Sequence, residues 1–294
     1  MFDGSDDFHA LADLAAREGL WLHVDGAFGA MAYTIGKHGV GSLAQLASLI
    51  AELVRALALA AAMFVAGGVV KGTLGVGLPL VVVPLLTLII PAPQAMGLLV
   101  MPVLASNIWQ AMHGGLWRVS LRRFWPLMLA QAGATLLAID WSRNWSGKAL
   151  DIAMGVTVLV AVAVMLLKPQ GEVSPSQEKW LGPLIGAVAG AMAGVSSLTG
   201  PLLITYLLAL RLPRDVFVGS ISIIYLLGAL PMYAAMLVWG RFGWDAVVWS
   251  VLALAPVYIG LKLGGRLREH LNELQFRRAL LALLLGLGVM LMVR

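Results

Sequence analysis

The sequence predicts an all-α membrane protein, a polytopic helical bundle of two inverted repeats with broken or hairpin helices. Three observations predict it. Of 294 residues, 60% are hydrophobic and only 12% are charged, with a mean hydropathy of +0.90. A globular domain carries about 25% charged residues, so this chain lacks the charge to cover a soluble surface. One pattern then occurs twice, as GGVVKGTLGVGLPLVVVPLLTLIIPAPQA (residues 67–95) and GAMAGVSSLTGPLLITYLLALRLPRDVF (residues 190–217). In each, an apolar stretch meets a break of small residues, resumes behind a proline and stops at another proline. Inside a bilayer, non-helical backbone survives only where protein buries it or a cavity receives it. Finally, basic residues concentrate in alternate connections, as membrane orientation requires.

Residues 1–42 differ from the rest. They carry Asp3, Asp6, Asp7, Asp13 and Glu18 and no uninterrupted apolar core, so a cleavable signal peptide is not expected. Insertion would rest on the internal helices. A short helix over residues 8–18 and a strand-like 20–24 are expected here. The segment DDFHALADLAAREGLWLHVDGAFGA resembles the pyridoxal-phosphate-dependent amino-acid decarboxylases, in which a W-x-H-V-D-x-A-x-G strand gives an aspartate to the cofactor. The resemblance puts Asp25 at that aspartate. The family's Schiff-base lysine has no counterpart, since Lys37 precedes His38 and the chain then turns hydrophobic. We therefore read residues 1–42 as a fragment without a function of its own, and expect neither a cofactor nor an enzyme.

Ten apolar stretches follow, near 46–70, 74–90, 94–114, 124–140, 148–167, 181–198, 201–212, 215–239, 244–263 and 275–293. Spanning the hydrocarbon takes about 20 helical residues, so the short second and seventh stretches read as half-helices or hairpin arms. If each stretch changes side, thirteen basic residues fall in one set of connections. Only Arg143, Lys148 and Arg241 fall in the other. The basic side would be cytoplasmic. Five stretches per repeat is an odd number, so the two repeats insert in opposite senses. The charges agree: Arg118, Arg122 and Arg123 follow the third stretch, whereas only Arg241 follows its counterpart. The expected organisation is residues 43–167 as repeat 1, 168–180 as a cytoplasmic linker and 181–294 as repeat 2.

The breaks carry the candidate site. Gly75 and Gly77 in the first, and Ser196, Ser197, Thr199 and Gly200 in the second, precede half-helices whose first amides have no helical partner. A helix amino terminus offers N–H donors and partial positive charge, hence an anion site. The bland alternative is that small residues let helices pack closely. Lys71 and Thr73 lie at the first break. Lys71 is either a charge within the site or a loop charge reaching the surface. Asn107, Gln110 and His113, at i, i+3 and i+6, share a helical flank and could line a pathway or bond helix to helix. Ser220, Ser222 and Tyr225 form a comparable set. Cysteine is absent, no phosphate-loop or H-E-x-x-H spacing occurs, and the scattered basic residues do not form a nucleic-acid surface. No metal site, hydrolytic site or nucleic-acid partner is expected.

With these hairpins placed, residues 46–294 resemble the sulfite exporter (TauE/SafE) family. The features that carry the resemblance are Gly72, Gly75, Gly77 and Pro79, their counterparts Gly194, Gly200 and Pro201, and the short arms ending at Pro91 and Pro213. Thr73 and Leu74 interrupt the usual glycine run, and Ser196, Ser197, Leu198 and Thr199 replace it in the second repeat. The resemblance implies secondary transport of a small sulfur-containing anion, such as sulfite or an organosulfonate, by a multi-pass protein of the inner or plasma membrane. The rivals are a carrier of another small anion or solute, and a membrane scaffold or assembly factor. The sequence leaves the oligomeric state open.

Overall fold

The computed structural model describes residues 43–75, 77–113, 117–166, 172–267 and 273–293. The decarboxylase-like segment, most of the residues joining the two predicted repeats before Glu172, and the 268–272 connection lie outside them. By internal contacts the chain divides into residues 1–60 and 61–294. The first supplies the opening turns of one long helix, and the second holds everything that follows.

Twelve helices occur among the described residues: α1 (Leu43–Leu74), α2 (Leu78–Thr87), α3 (Ala92–Gly97), α4 (Val100–His113), α5 (Trp117–Trp141), α6 (Gly147–Leu166), α7 (Pro175–Ser196), α8 (Gly200–Ala209), α9 (Arg214–Val238), α10 (Trp244–Leu252), α11 (Leu254–Leu267) and α12 (Glu273–Val293). The fold is all-α and polytopic. Four helical segments are long and apolar enough to cross a membrane, and the pair α10–α11, bent by 43°, makes a fifth if it is one broken span. The ten predicted stretches therefore do not behave alike. The third divides into α3 and α4, and the ninth into α10 and α11. With ten residues each, α2 and α8 rise only about 15 Å, half of a hydrocarbon core of about 30 Å.

Local chemistry sets these boundaries. Ser174 opens α7 with a capping box: its Oγ accepts from the Gln177 amide, and Gln177 Oε1 accepts from the Ser174 amide at 2.9 Å. Pro175 follows at the first helical position, where its missing N–H costs nothing. The helix thus begins within the stretch expected to be linker. Pro91 caps α3 and Pro213 caps α9 with extended ψ values of 144° and 146°, which ends the short arms where the sequence places them. At the far end, Arg241 is buried and donates to the Ser142 carbonyl at 3.0 Å and the Ser142 hydroxyl at 2.7 Å, closing the carboxyl end of α5.

Three glycine seams hold the bundle. A Cβ on Gly68 of α1 would stand 2.6 Å from the Val257 carbonyl oxygen of α11, and one on Gly72 would stand 2.5 Å from the Leu261 carbonyl oxygen. Along α7, Gly186, Gly190 and Gly194 lie against the Leu127, Gln131 and Thr135 carbonyls of α5. On α6, a Cβ at Gly155 would come 2.8 Å from the Gly288 carbonyl of α12. Such approach is how membrane helices gain contact without a hydrophobic drive. The pairing is reciprocal: α1 seams to α11 while α7 seams to α5. Helix α4 packs on α9 and α6 on α12. This arrangement brings the two breaks to one place.

Candidate functional site

Each break ends a long helix and opens a short one. In the first, the Gly75 amide still donates to the Lys71 carbonyl at 2.7 Å. The chain then turns through Gly75 (φ 81°) and Gly77 (φ 104°) into α2. Both angles are left-handed, a region glycine enters without the Cβ penalty. In the second, Ser197 takes the left-handed turn itself (φ 61°), its amide donating to the Ala193 carbonyl at 2.8 Å. Gly77 and Thr199 are the N-caps of α2 and α8, and neither supplies a side-chain cap. Pro79 and Pro201 occupy the second helical positions. The first and third amides of each helix (Leu78 and Leu80, Gly200 and Leu202) are thus the donors left unpaired by helix geometry.

The break begins one turn later than the sequence reading placed it. Lys71, Gly72 and Thr73 are helical, in the last turns of α1. Lys71 is neither a loop charge nor at the surface: it is 4% exposed. Its Nζ donates to Ser106 Oγ at 2.8 Å and Asn107 Oδ1 at 3.0 Å, both on α4. Ser106 Oγ in turn donates a hydrogen bond to the Pro102 carbonyl at 2.6 Å. Among the described residues no carboxylate pairs with Lys71. An ammonium has three N–H donors, so one remains after these two bonds.

Lys71, Gly77, Asn107, Ser197, Thr199 and Gly200 all line one cavity of about 50 Å³. Since about 10–15 Å³ of such space holds one water, it accommodates a few waters or one small oxyanion. Four other expected residues stand back from it. Gln110 Nε2 donates to the Gly75 carbonyl at 3.4 Å and braces the turn. Ser196 Oγ donates to the Met192 carbonyl at 2.8 Å. Thr73 Oγ1 donates to the Val69 carbonyl at 2.6 Å and faces the Gly264 carbonyl at 3.4 Å on the α1–α11 seam. Gly75 shapes the backbone without lining the space. Of the second polar set, Ser220 bonds Ser120 of α5 at 3.0 Å and Ser222 bonds its own helix. Only Tyr225 reaches the cavity.

Sequence reasoning missed Ser106, Gln131 and Tyr233. Gln131 of α5 and Tyr233 of α9 line the cavity with Tyr225. Gln131 Oε1 and the hydroxyls of Tyr225 and Tyr233 are buried without a hydrogen-bond partner. Tyr233 approaches Ser197, but the geometry falls short of a hydrogen bond. A glutamine within an apolar run was the available signal, because such a residue usually faces protein or water. The cavity therefore gathers one ammonium, two uncapped helix amino termini and several unpartnered dipoles, with no carboxylate among the described lining residues. That set suits a small anion. Compared with protein-family models, residues 59–291 match one described as sulfite exporter TauE/SafE. No solved structure matches the chain.

Proposed function

Because the chain belongs to the sulfite exporter TauE/SafE family of membrane transporters, we propose that its own cargo is a small sulfur oxyanion. Sulfite or an organosulfonate would cross the inner or plasma membrane through the cavity between the two breaks. The observation that carries this reading is Lys71: a buried ammonium with two neutral acceptors, no paired carboxylate among the described residues and one donor left at the cavity. Desolvating an ion costs several kcal/mol unless an opposite charge arrives, and here the opposite charge is the cargo. Two helix amino termini, each equivalent to roughly +0.5 charge, add to the attraction. Their donors are backbone amides held by fixed turns, so they need little reorganisation when the anion arrives.

A metal-cation carrier fits poorly, since the cation would meet Lys71 and no carboxylate lines the space. A scaffold would need only the packing glycines, and Gly68, Gly72, Gly186 and Gly194 do that work away from the cavity. The two breaks come from different halves of the chain, so rocking one half against the other would expose the site to each side in turn. Efflux of labelled sulfite from proteoliposomes tests the reading. Gly77→Leu and Thr199→Val are each expected to lower the rate at least tenfold, the first by distorting and crowding an amino terminus, the second by removing a cavity-lining hydroxyl. Full activity in both would remove the site.

A further inference from the structure

The groups that share the cavity with Lys71 narrow the cargo further. Among the described residues that line the cavity, Lys71 is the one charged side chain. A single ammonium neutralises a single negative charge. The desolvation cost of an ion grows with the square of its charge, whereas its attraction to one cation grows only linearly, so a dianion is the poorer guest. Gln131 of α5 lines the same cavity and is 2% exposed. Its amide nitrogen is crowded against Gly228 of α9, and its Oε1 is buried without a donor. An unsatisfied buried acceptor costs about 1–3 kcal/mol. No lining side chain supplies the missing hydrogen: Ser197 and Thr199 lie at the second break, and the Tyr225 and Tyr233 hydroxyls are themselves without partners. A bare oxyanion offers acceptors alone and leaves Gln131 as it was. An anion that keeps one O–H satisfies it.

We propose that the site selects a singly charged oxyanion bearing a hydroxyl, in the manner of hydrogen sulfite, with its charge toward Lys71 and the two amino termini and its O–H donated to Gln131. This rests on the anion-carrier reading above and specifies its cargo. Two pyramidal monoanions of similar size separate the terms: hydrogen selenite carries an O–H and chlorate does not. Titrating each into the purified full-length protein, at a pH where selenite holds one proton, is expected to show hydrogen selenite bound about tenfold more tightly, as one hydrogen bond to a buried acceptor implies. Sulfate, a dianion without a hydrogen, is expected to bind more weakly than either. Gln131→Met keeps an unbranched chain of similar length and is expected to bring the ratio to about one. Tyr233→Phe is expected to weaken both anions by a common factor and preserve the ratio, which separates Gln131 from its neighbours. Chlorate binding as tightly as hydrogen selenite in the unsubstituted protein would overturn the proposal and leave the anion site standing. A ratio unmoved by Gln131→Met in a folded variant would do the same. Failure of every anion to bind would overturn both.

Discussion

Lys71 sits where a bilayer protein has least reason to keep a charge, held by Ser106 and Asn107 and by no carboxylate. Buried charges are often retained for function at a cost in stability. Lys71→Met is therefore expected to abolish sulfite efflux while leaving the melting temperature in detergent unchanged or a few degrees higher. A large fall in melting temperature with efflux retained would reverse the assignment. Gly77 poses the opposite case. A Cβ there has room, its nearest neighbour being Val70 Cγ1 at 3.5 Å, but φ is 104°. Gly77→Ala is expected to cost at least about 1–2 kcal/mol through the backbone alone, read as a lowered melting temperature. Lys71 was visible in the sequence as an odd charge, but its depth was not. Glycines at 72, 75 and 77 look alike in one dimension, yet Gly72 seals a helix seam whereas Gly75 and Gly77 make the turn.

At the scale of elements, the same residue type divides into seams and open positions, and that division is testable. Gly190 of α7 faces the Gln131 carbonyl and the Ala134 Cβ, whereas Gly133 and Gly286 have nothing within 4 Å. Gly190→Leu is expected to force α5 and α7 apart and yield little folded protein. Gly133→Ala and Gly286→Ala are expected to stabilise by about 0.5–1 kcal/mol through helix propensity. Thermal melting of the purified variants checks both, and equal effects at Gly190 and Gly133 would show that the seam does not hold the bundle. The broken elements were legible because a glycine or small-residue run followed by proline has one backbone meaning in a membrane. Pro79 and Pro201 mark the second positions of α2 and α8 as the sequence suggests. The division of α10 from α11 at Ala253 was not legible, because no glycine or proline stands there. That pair is bent by 43°, whereas α3 and most of α4 together still make one span over residues 92–112. Gln131 stood out as a polar residue in an apolar run, but only the folded bundle shows that α5 and α9 bring Gln131 and Tyr233 to the cavity.

For the whole molecule, the distribution of basic residues sets the expected orientation. With no native cysteine, each introduced one is a sole reporter. Ser176→Cys, exposed at the start of α7, is expected to react with an impermeant thiol reagent only from the cytoplasmic side. Asn144→Cys, exposed between α5 and α6, is expected to react only from the other. Both reacting from one side would contradict the alternation. Reciprocal pairing of α1 with α11 and α5 with α7 accompanies a cavity lined from both halves, and transport follows if an anion rests there. Soaking crystals of the protein with selenite and locating selenium by anomalous scattering tests this most directly. The peak is expected within hydrogen-bonding reach of Lys71 Nζ and of the Leu78 and Gly200 amides. Selenium bound elsewhere, with this cavity empty, would contradict it.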